Sequence, residues 1–251
     1  KIPVAWHIRE PLAHGYFGLR KAFITHCIQQ YATAIIPISR NDARPWRENK
    51  KTIVLPNTVN PAQFDPDAIA AKGLDVAPSL PGEAWAQAEA QNEKPWALNV
   101  SLDPGLRRDD KEPTELSPTI LFLGGLSKEK GTHIILNAFT RLKNKIPTAQ
   151  LIIAGATDLS LPSPISIKNI FPATRFKKKV AQQIAALGSS VTLLGPITTV
   201  AEAMATSTVI VFPATVGHFA RPIIEAGFMK KPVVASKLPP LDELVIDGKT
   251  G

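Results

Sequence analysis

The sequence predicts an α/β protein whose strands form parallel sheets, and two observations support this prediction. Short apolar segments rich in valine, isoleucine and leucine alternate with segments of helical periodicity, first over residues 1–64 and again over residues 118–251. A proline-rich stretch without sustained apolar periodicity separates the two series. Such alternation is typical of doubly wound parallel sheets, in which helices cover both faces and the crossovers are right-handed.

The first series predicts strands at PVAWHI, TAIIPIS and TIVLP, which are short runs bounded by polar residues or proline. Between the first two lies YFGLRKAFITHCIQQYA, in which Leu19, Phe23, Cys27 and Tyr31 recur every four residues, as in a helix. Residues 65–117 then contain six prolines and predict a linker with a mobile insertion.

The second series predicts five buried strands, at TILFLGGL, AQLIIAGA, VTLLG, VIVFPA and PVVAS. Helices lie between them, one with Ile135, Phe139 and Leu142 on a single face. Thr199 and Glu202 have the spacing of a capping box at the start of another helix. We therefore expect the ligand site beyond the carboxyl ends of these strands, where doubly wound sheets bind ligands.

A formal net charge of +8 favours acidic partners such as phosphorylated substrates, nucleic acid or anionic lipid head groups. The basic clusters, at residues 47–51, 175–179 and 230–231, are short and lack interleaved aromatics, so we expect solvated faces and no nucleic-acid partner. The single cysteine, Cys27, excludes an internal disulfide and fits a reducing compartment.

The sequence contains no apolar run of membrane-spanning length and no signal peptide. It starts at Lys1, directly before a predicted strand, and stops at Gly251 after a turn-like DGKTG. We therefore expect it to be a fragment, truncated at both ends, of a longer protein.

The loop GGLSKEKG, residues 124–131, is the first candidate binding element. Gly124 and Gly125 would let the backbone approach a ligand, and the following helix start would offer free N–H groups and its positive dipole end. Lys130 would meet a phosphate there. The spacing matches neither the Walker loop nor the dinucleotide fingerprint, and a plain strand-to-helix turn remains the alternative.

The second candidate element is GHFARPIIE, residues 217–225. Pro222 fits the first turn of a helix, so the backbone N–H groups of His218, Phe219 and Ala220 would face a ligand above the sheet. Glu225, about one turn in, could accept two hydrogen bonds from ribose hydroxyls. Alternatively, Glu225 could simply favour the helix dipole or pair with a lysine.

Taken in order, FLGGLSKEKG, VTLLGPI, FARPIIEAGFMKKPVVAS and ELVIDGKTG resemble the retaining glycosyltransferases of family 4, the glycosyl transferases group 1. PNTVNPAQF, at residues 56–64, resembles the family's crossover between domains. The resemblance implies a GT-B fold of two facing Rossmann-like domains. Residues 1–64 would be the C-terminal half of the acceptor-side domain, 65–117 the linker, and 118–251 the nucleotide-sugar-binding domain, truncated at its end.

The resemblance also implies residue roles. Lys130 matches the lysine that contacts the donor diphosphate, and Glu225 matches the second glutamate of the family's pair, which holds the ribose. His7 resembles the histidine that faces the donor sugar and is the catalytic candidate, although a core or loop histidine remains the alternative. The remaining donor-binding candidates are the loop residues Gly124, Gly125, Gly217, His218, Phe219, Ala220 and Arg221.

Four of these positions depart from the family pattern. Gly125 stands where arginine is common, and Gly217 stands at the position of the first glutamate of the pair. His218 replaces a glycine, and Arg221 replaces an aliphatic residue. Arg221 or His218 could supply the missing positive charge. The departures imply either an altered donor preference or a reduced activity.

The expected function is transfer of a sugar, with retention, from a nucleotide-diphosphate sugar to a hydroxyl of a lipid-linked or polysaccharide acceptor. No cofactor is expected, and no metal, since no cluster with ligand spacing is evident. The expected location is cytoplasmic, with peripheral contact at an anionic membrane left open. Two alternatives stay open: a non-catalytic or decayed GT-B remnant that at most binds nucleotide, and a basic nucleic-acid or membrane-surface module.

Overall fold

The computed structural model of the chain describes residues 3–8, 18–74, 117–155, 159, 172–248 and 251. In the first part of the chain the elements are β1 (Ala5–Ile8), α1 (Leu19–Tyr31), β2 (Ala34–Pro37), α2 (Arg40–Ala43) and α3 (Pro66–Ala70). Strands β1 and β2 pair in parallel, with His7 in register with Ile36. The predicted strand TIVLP contacts β2 through an isolated parallel bridge between Thr52 and Ile35. The N–H groups of Ile53 and Leu55 also donate to carbonyl groups of β2.

Helix α1 is confirmed, but it packs on a face other than the one its four-residue repeat marks. The side chains of Leu19, Phe23 and Tyr31 are 69–76% exposed. Ile28 is instead fully buried and packs in a cluster with Ile8, Ile35 and Trp46. The side of α1 that carries Ile28 therefore covers the described sheet.

The second part of the chain contains a five-stranded parallel sheet in the order β5-β4-β3-β6-β7. Its strands are β3 (Thr119–Phe122), β4 (Gln150–Ala154), β5 (Val191–Leu194), β6 (Val209–Phe212) and β7 (Val233–Ala235). Its helices are α4 (Thr132–Lys143), α5 (Pro172–Leu187), α6 (Val200–Ala205) and α7 (Arg221–Phe228). The predicted parallel α/β fold is thus confirmed, with the strand order reversing beside β3.

Two apolar clusters cover the opposite faces of this sheet. One joins α4 and α5 to β3, β4 and β5 and contains Phe122, Phe139 and Val180. The other joins α6 and α7 to the sheet and also takes in Phe64 and Ile69. Helix α3 therefore packs against this cluster, although it lies inside the segment predicted as a linker. The predicted insertion lies largely in residues 75–116, which are outside the described ranges.

The predicted capping box at the start of α6 is wrong. Thr199 precedes the helix, but its side chain accepts no capping hydrogen bond. The Glu202 carboxylate instead forms an ion pair with Lys72, at 3.6 Å. A partner distant in sequence has replaced the local interaction that the spacing predicts.

The end of α7 corrects the prediction that residues 230–231 form a solvated basic cluster. Lys230 is exposed, but Lys231 is only 3% exposed, and its Nζ donates a hydrogen bond of 2.8 Å to the Ala205 carbonyl. Burial lowers the pKa of Lys231 to about 8. Lys231 therefore stabilises the packing of the chain after α7 onto the end of α6.

We expect Lys230→Gly to raise the free energy of unfolding by about 1 kcal/mol, because a residue with a Cβ is disfavoured in the left-handed region. Lys230 has φ of 54° just after α7, where helices commonly end with glycine. Urea unfolding would measure the change. Lys237→Gly, at an exposed lysine without positive φ, is the control and should be neutral or slightly destabilising.

Among the described residues, no helix combines the length and apolar character required to cross a membrane.

Candidate functional site

Two loops follow the neighbouring strands β3 and β6, and they meet at the carboxyl edge of the sheet. Strands β3 and β6 pair directly, with Leu121 in register with Ile210. The Thr215 N–H donates to the Glu129 carbonyl at 2.8 Å, which joins the two loops. The crossovers after β3 and β6 run to opposite sides of the sheet, so this is the point where doubly wound sheets place a ligand.

The loop after β3 is held in a fixed shape by Thr132, a residue that the sequence analysis did not single out. Thr132 is fully buried, and its hydroxyl oxygen lies 2.8 Å from the carbonyl oxygens of both Gly125 and Ser127. The Gly125 N–H donates to the Ala154 carbonyl at 2.8 Å, which ties the loop to β4. Lys130, on the exposed side of this loop, is therefore carried by a rigid turn.

Packing and backbone conformation explain why glycine occupies positions 124 and 125 of this loop. A Cβ at Gly124 would lie 1.9 Å from the Phe122 ring, which is buried. Gly125 has φ of 57°, in the left-handed region that favours glycine. The glycine pair is thus explained by packing and backbone shape, and its presence alone does not indicate a ligand.

The loop after β6 leads into α7 with a row of free donors. Among the described residues, the backbone N–H groups of residues 217–221 have no hydrogen-bond acceptor. Ala220 is buried and directly precedes α7, and Phe219 is half-buried. Free N–H groups at a helix start, together with the dipole of the helix, favour an anion.

His218 is oriented by two contacts. Its Nδ1 lies 3.0 Å from the Val216 carbonyl oxygen, so Nδ1–H donates and Nε2 is left for other partners. Its ring packs against Phe212, with centroids 5.3 Å apart. His218 is therefore anchored to its own loop by Nδ1, while Nε2 can still bind a ligand.

Glu225 lies in α7 and is almost completely buried, with a side chain 8% exposed. Side chains on a helix tilt toward its N-terminus, which here is the end that meets the two loops. Arg221, one turn earlier, places its Nε 3.0 Å from Glu225 Oε1. Burial raises the pKa of the Glu225 carboxyl above its usual value, and the Arg221 guanidinium opposes that rise.

Gly217 lies against the chain that follows β7. A Cβ at Gly217 would be 1.9 Å from the Pro239 carbonyl oxygen, so the direction that a side chain would take is filled by backbone. The glutamate expected here from the resemblance has no room in this arrangement.

The two loops and the start of α7 contain nine of the ten predicted site residues, and His7 is the exception. His7 lies in β1, is exposed, and its side chain forms no hydrogen bond, ion pair or ring contact with another described residue. In the described ranges, no group of three or more His, Cys, Asp or Glu side chains could hold a metal ion.

Glu243 joins the two parts of the chain and was not predicted from the sequence. Its carboxylate accepts the N–H groups of Arg40 and Asn41, at 3.0 and 2.9 Å. These residues begin α2, next to the buried Asp42, whose carboxylate receives a hydrogen bond from Ser39 at 2.5 Å. Burial chiefly, with Glu243 adding to it, raises the pKa of Asp42, while the Ser39 bond opposes the rise.

Comparisons with solved structures show the same fold. Anabaena HepE, solved in complex with UDP and glucose, matches with a TM-score of 0.63 and 19% identity over 97% of this chain and 55% of that one. Sucrose-phosphate synthase from Thermosynechococcus elongatus matches with a TM-score of 0.59 and 20% identity over 96% and 52%. WaaG, a glycosyltransferase involved in lipopolysaccharide biosynthesis, matches with 0.57 and 13% over 94% and 58%.

The GT-B fold predicted from the sequence is thus confirmed, and the chain spans about half the length of the solved structures it matches. A search of curated proteins finds no match. The family model for glycosyl transferases group 1 matches residues 107–251, more than half of the chain. The chain therefore belongs to the glycosyl transferases group 1.

Proposed function

We propose that this chain is the greater part of a retaining glycosyltransferase of family 4 that uses a nucleotide-diphosphate sugar as donor. The observation that carries the proposal is the position of Glu225. It is a buried carboxylate directed toward the start of α7, and the N–H groups without an acceptor lie in a loop that is hydrogen-bonded to the loop of Lys130. A carboxylate beside several donors fits a ribose joined to a diphosphate, since hydroxyls donate to the first and phosphate oxygens accept from the second.

In this arrangement the N–H groups of residues 218–221 and Lys130 bind the diphosphate, and Glu225 accepts the ribose hydroxyls. The same donors stabilise the charge that grows on the diphosphate as it leaves the sugar. His7 faces the donor sugar from the part of the chain that contains β1. Transfer requires no bound metal or cofactor, and the acceptor is a hydroxyl of a lipid-linked or polysaccharide glycan.

The domain boundaries at residues 64 and 117 are part of this proposal, as is a cytoplasmic location. A lipid-linked acceptor would bring the protein to the anionic inner face of a membrane, where its excess of basic residues favours peripheral contact. We do not propose that the protein binds nucleic acid, because its basic clusters are short and lack interleaved aromatic residues.

Thermal stabilisation by UDP, GDP and ADP tests the donor site. A ligand at 100 times its dissociation constant adds about 2.7 kcal/mol to the free energy of unfolding. We expect one nucleotide to stabilise the wild type and Glu225→Gln to remove most of that gain, because an uncharged amide accepts the ribose hydroxyls less strongly. Glu202→Gln, at a second ion-paired helical glutamate, should keep the full gain.

A nucleotide gain that Glu225→Gln leaves unchanged would place the site elsewhere. Incubation of the stabilising nucleotide's sugar conjugates with glycan acceptors would then test transfer, and the anomeric configuration of the product would test retention. The second candidate, a GT-B remnant that binds nucleotide without transfer, is favoured by the backbone that fills the side-chain direction of Gly217. It predicts stabilisation without product.

A further inference from the structure

Arg221 covers the carboxylate that the proposed function assigns to the ribose. The two residues are one helical turn apart, and the guanidinium Nε lies 3.0 Å from Glu225 Oε1. The Arg221 side chain is 63% exposed, while that of Glu225 is 8% exposed. The pair therefore has one partner in solvent and one in the protein interior, at the mouth formed by the two loops.

A carboxylate in this environment has two states with different binding chemistry. When ionised, it offers only acceptors and can receive two hydroxyl hydrogen bonds while one oxygen also contacts Arg221. When protonated, it carries a hydrogen that competes with those hydroxyls. Burial favours the protonated state, and a positive charge within hydrogen-bond distance favours the ionised one.

The other charged or titratable residues near α7 have partners of their own or lie outside ion-pair distance of Glu225. His218, in the loop before the helix, is held through Nδ1 by the Val216 carbonyl. Lys231, just after the helix, donates to the Ala205 carbonyl. The turn at Leu241–Glu243 packs against the same apolar cluster as α7 and brings Asp242 and Glu243, and Glu243 accepts from the start of α2. In the described part of the chain, Arg221 is thus the cation that pairs with Glu225.

We propose that Arg221 is a positioning residue that keeps Glu225 ionised and fixes its carboxylate, so that a nucleoside diphosphate binds through its ribose over a wide pH range. The proposal rests on the proposed function, because it takes Glu225 as the ribose acceptor. As a positioning residue, Arg221 acts on the ribose through Glu225. The alternative is a direct contact between Arg221 and the diphosphate.

The two roles predict different ligand and pH dependence. A positioning role acts on the ribose, so loss of Arg221 should weaken a nucleoside and its diphosphate by the same factor. That factor should grow as the pH falls. Direct diphosphate contact predicts a loss for the diphosphate alone, of similar size at every pH at which the phosphates stay ionised.

Calorimetric titration from pH 5 to 8.5 separates these roles, with whichever of UDP, GDP and ADP stabilises the wild type and with its nucleoside. Burial raises the pKa of Glu225, and removing the positive charge in Arg221→Met raises it further. Since binding needs the ionised form, affinity falls as the pH drops below that pKa, by about tenfold per pH unit. We expect this fall to begin at a higher pH in Arg221→Met than in the wild type, and the two affinities to converge as the pH rises above both Glu225 pKa values.

Arg221→Lys keeps the charge and should retain most of the wild-type pH profile. Arg141→Met, at an exposed arginine on α4 away from the loops, should follow the wild type throughout. A loss confined to the diphosphate, or a loss equal at all pH values, would overturn the positioning role.

A titration of the Glu225 carboxyl by carbon NMR, assigned with Glu225→Gln, tests the same coupling without a ligand. We expect a higher pKa in Arg221→Met than in the wild type, and equal values would overturn the proposal. If no nucleotide binds the wild type, the proposed function fails. The NMR titration still decides whether Arg221 controls the ionisation of Glu225.

Discussion

Gly131→Ala is expected to lower the free energy of unfolding by about 2–5 kcal/mol, the sum of a backbone cost and a steric cost. Gly131 precedes α4 with φ of 89°, where a Cβ is disfavoured. That Cβ would also lie 1.8 Å from the Pro213 carbonyl oxygen. Pro213 directly follows β6, so the substitution pushes apart the two loops that form the proposed donor site.

Urea unfolding would measure this loss, and Gly188→Ala is the matched control. Gly188 also has a left-handed φ, 56°, but no atom lies within 4 Å of its Cβ position. The control should therefore lose only the backbone part, about 1–2 kcal/mol. If both variants lost the same amount, the loops would have room to separate, and the tight contact at Gly131 would not be needed.

Gly217→Ala is expected to destabilise the protein by about 1–3 kcal/mol, because its Cβ would lie 1.9 Å from the Pro239 carbonyl oxygen. Gly217 has no positive φ, so its backbone imposes no further cost. Gly195→Ala is the control, since its Cβ position is open and its φ is likewise not positive. It should stay within about 0.5 kcal/mol of the wild type in the same urea experiment.

Gly217→Glu extends this prediction to the glutamate that the family resemblance leads one to expect. It should lose at least as much stability as Gly217→Ala and should not increase stabilisation by a nucleotide sugar, because the neighbouring backbone blocks its side chain. A stable variant with stronger binding would show instead that the Pro239 segment can move aside. The absence of this glutamate would then be a matter of donor choice and not of space.

The second sheet and the positions of its two candidate loops could be predicted because their signals are local. Five short apolar runs mark the buried strands, glycines lie in the strand-to-helix loops after β3 and β6, and Pro222 lies in the first turn of α7. The burial of Ile135 and Phe139 follows from their helical spacing. For the strands and α4, the residues that predict the element lie within that element.

The features that could not be predicted depend on partners far away in sequence. Glu202 pairs with Lys72, and Lys231 is buried against Ala205. Capping-box spacing therefore misassigned Glu202, and membership of a short basic cluster misassigned Lys231. In α1 the four-residue repeat marks a face that is exposed to solvent, while Ile28 makes the contact with β1 and β2. A period shows that a helix forms, but the sheet beside it decides which side is buried.

The bonds from Arg40 and Asn41 to Glu243 have a mechanical consequence. A hydrogen bond to a charged group contributes about 1.5–3 kcal/mol, and exposure to water lowers that value because water competes for the same groups. Both bonds here are at exposed positions. The Glu243 carboxylate thus ties the start of α2 to the part of the chain that contains the second sheet. Because water competes for the same groups, this link contributes less than two buried bonds of the same kind would.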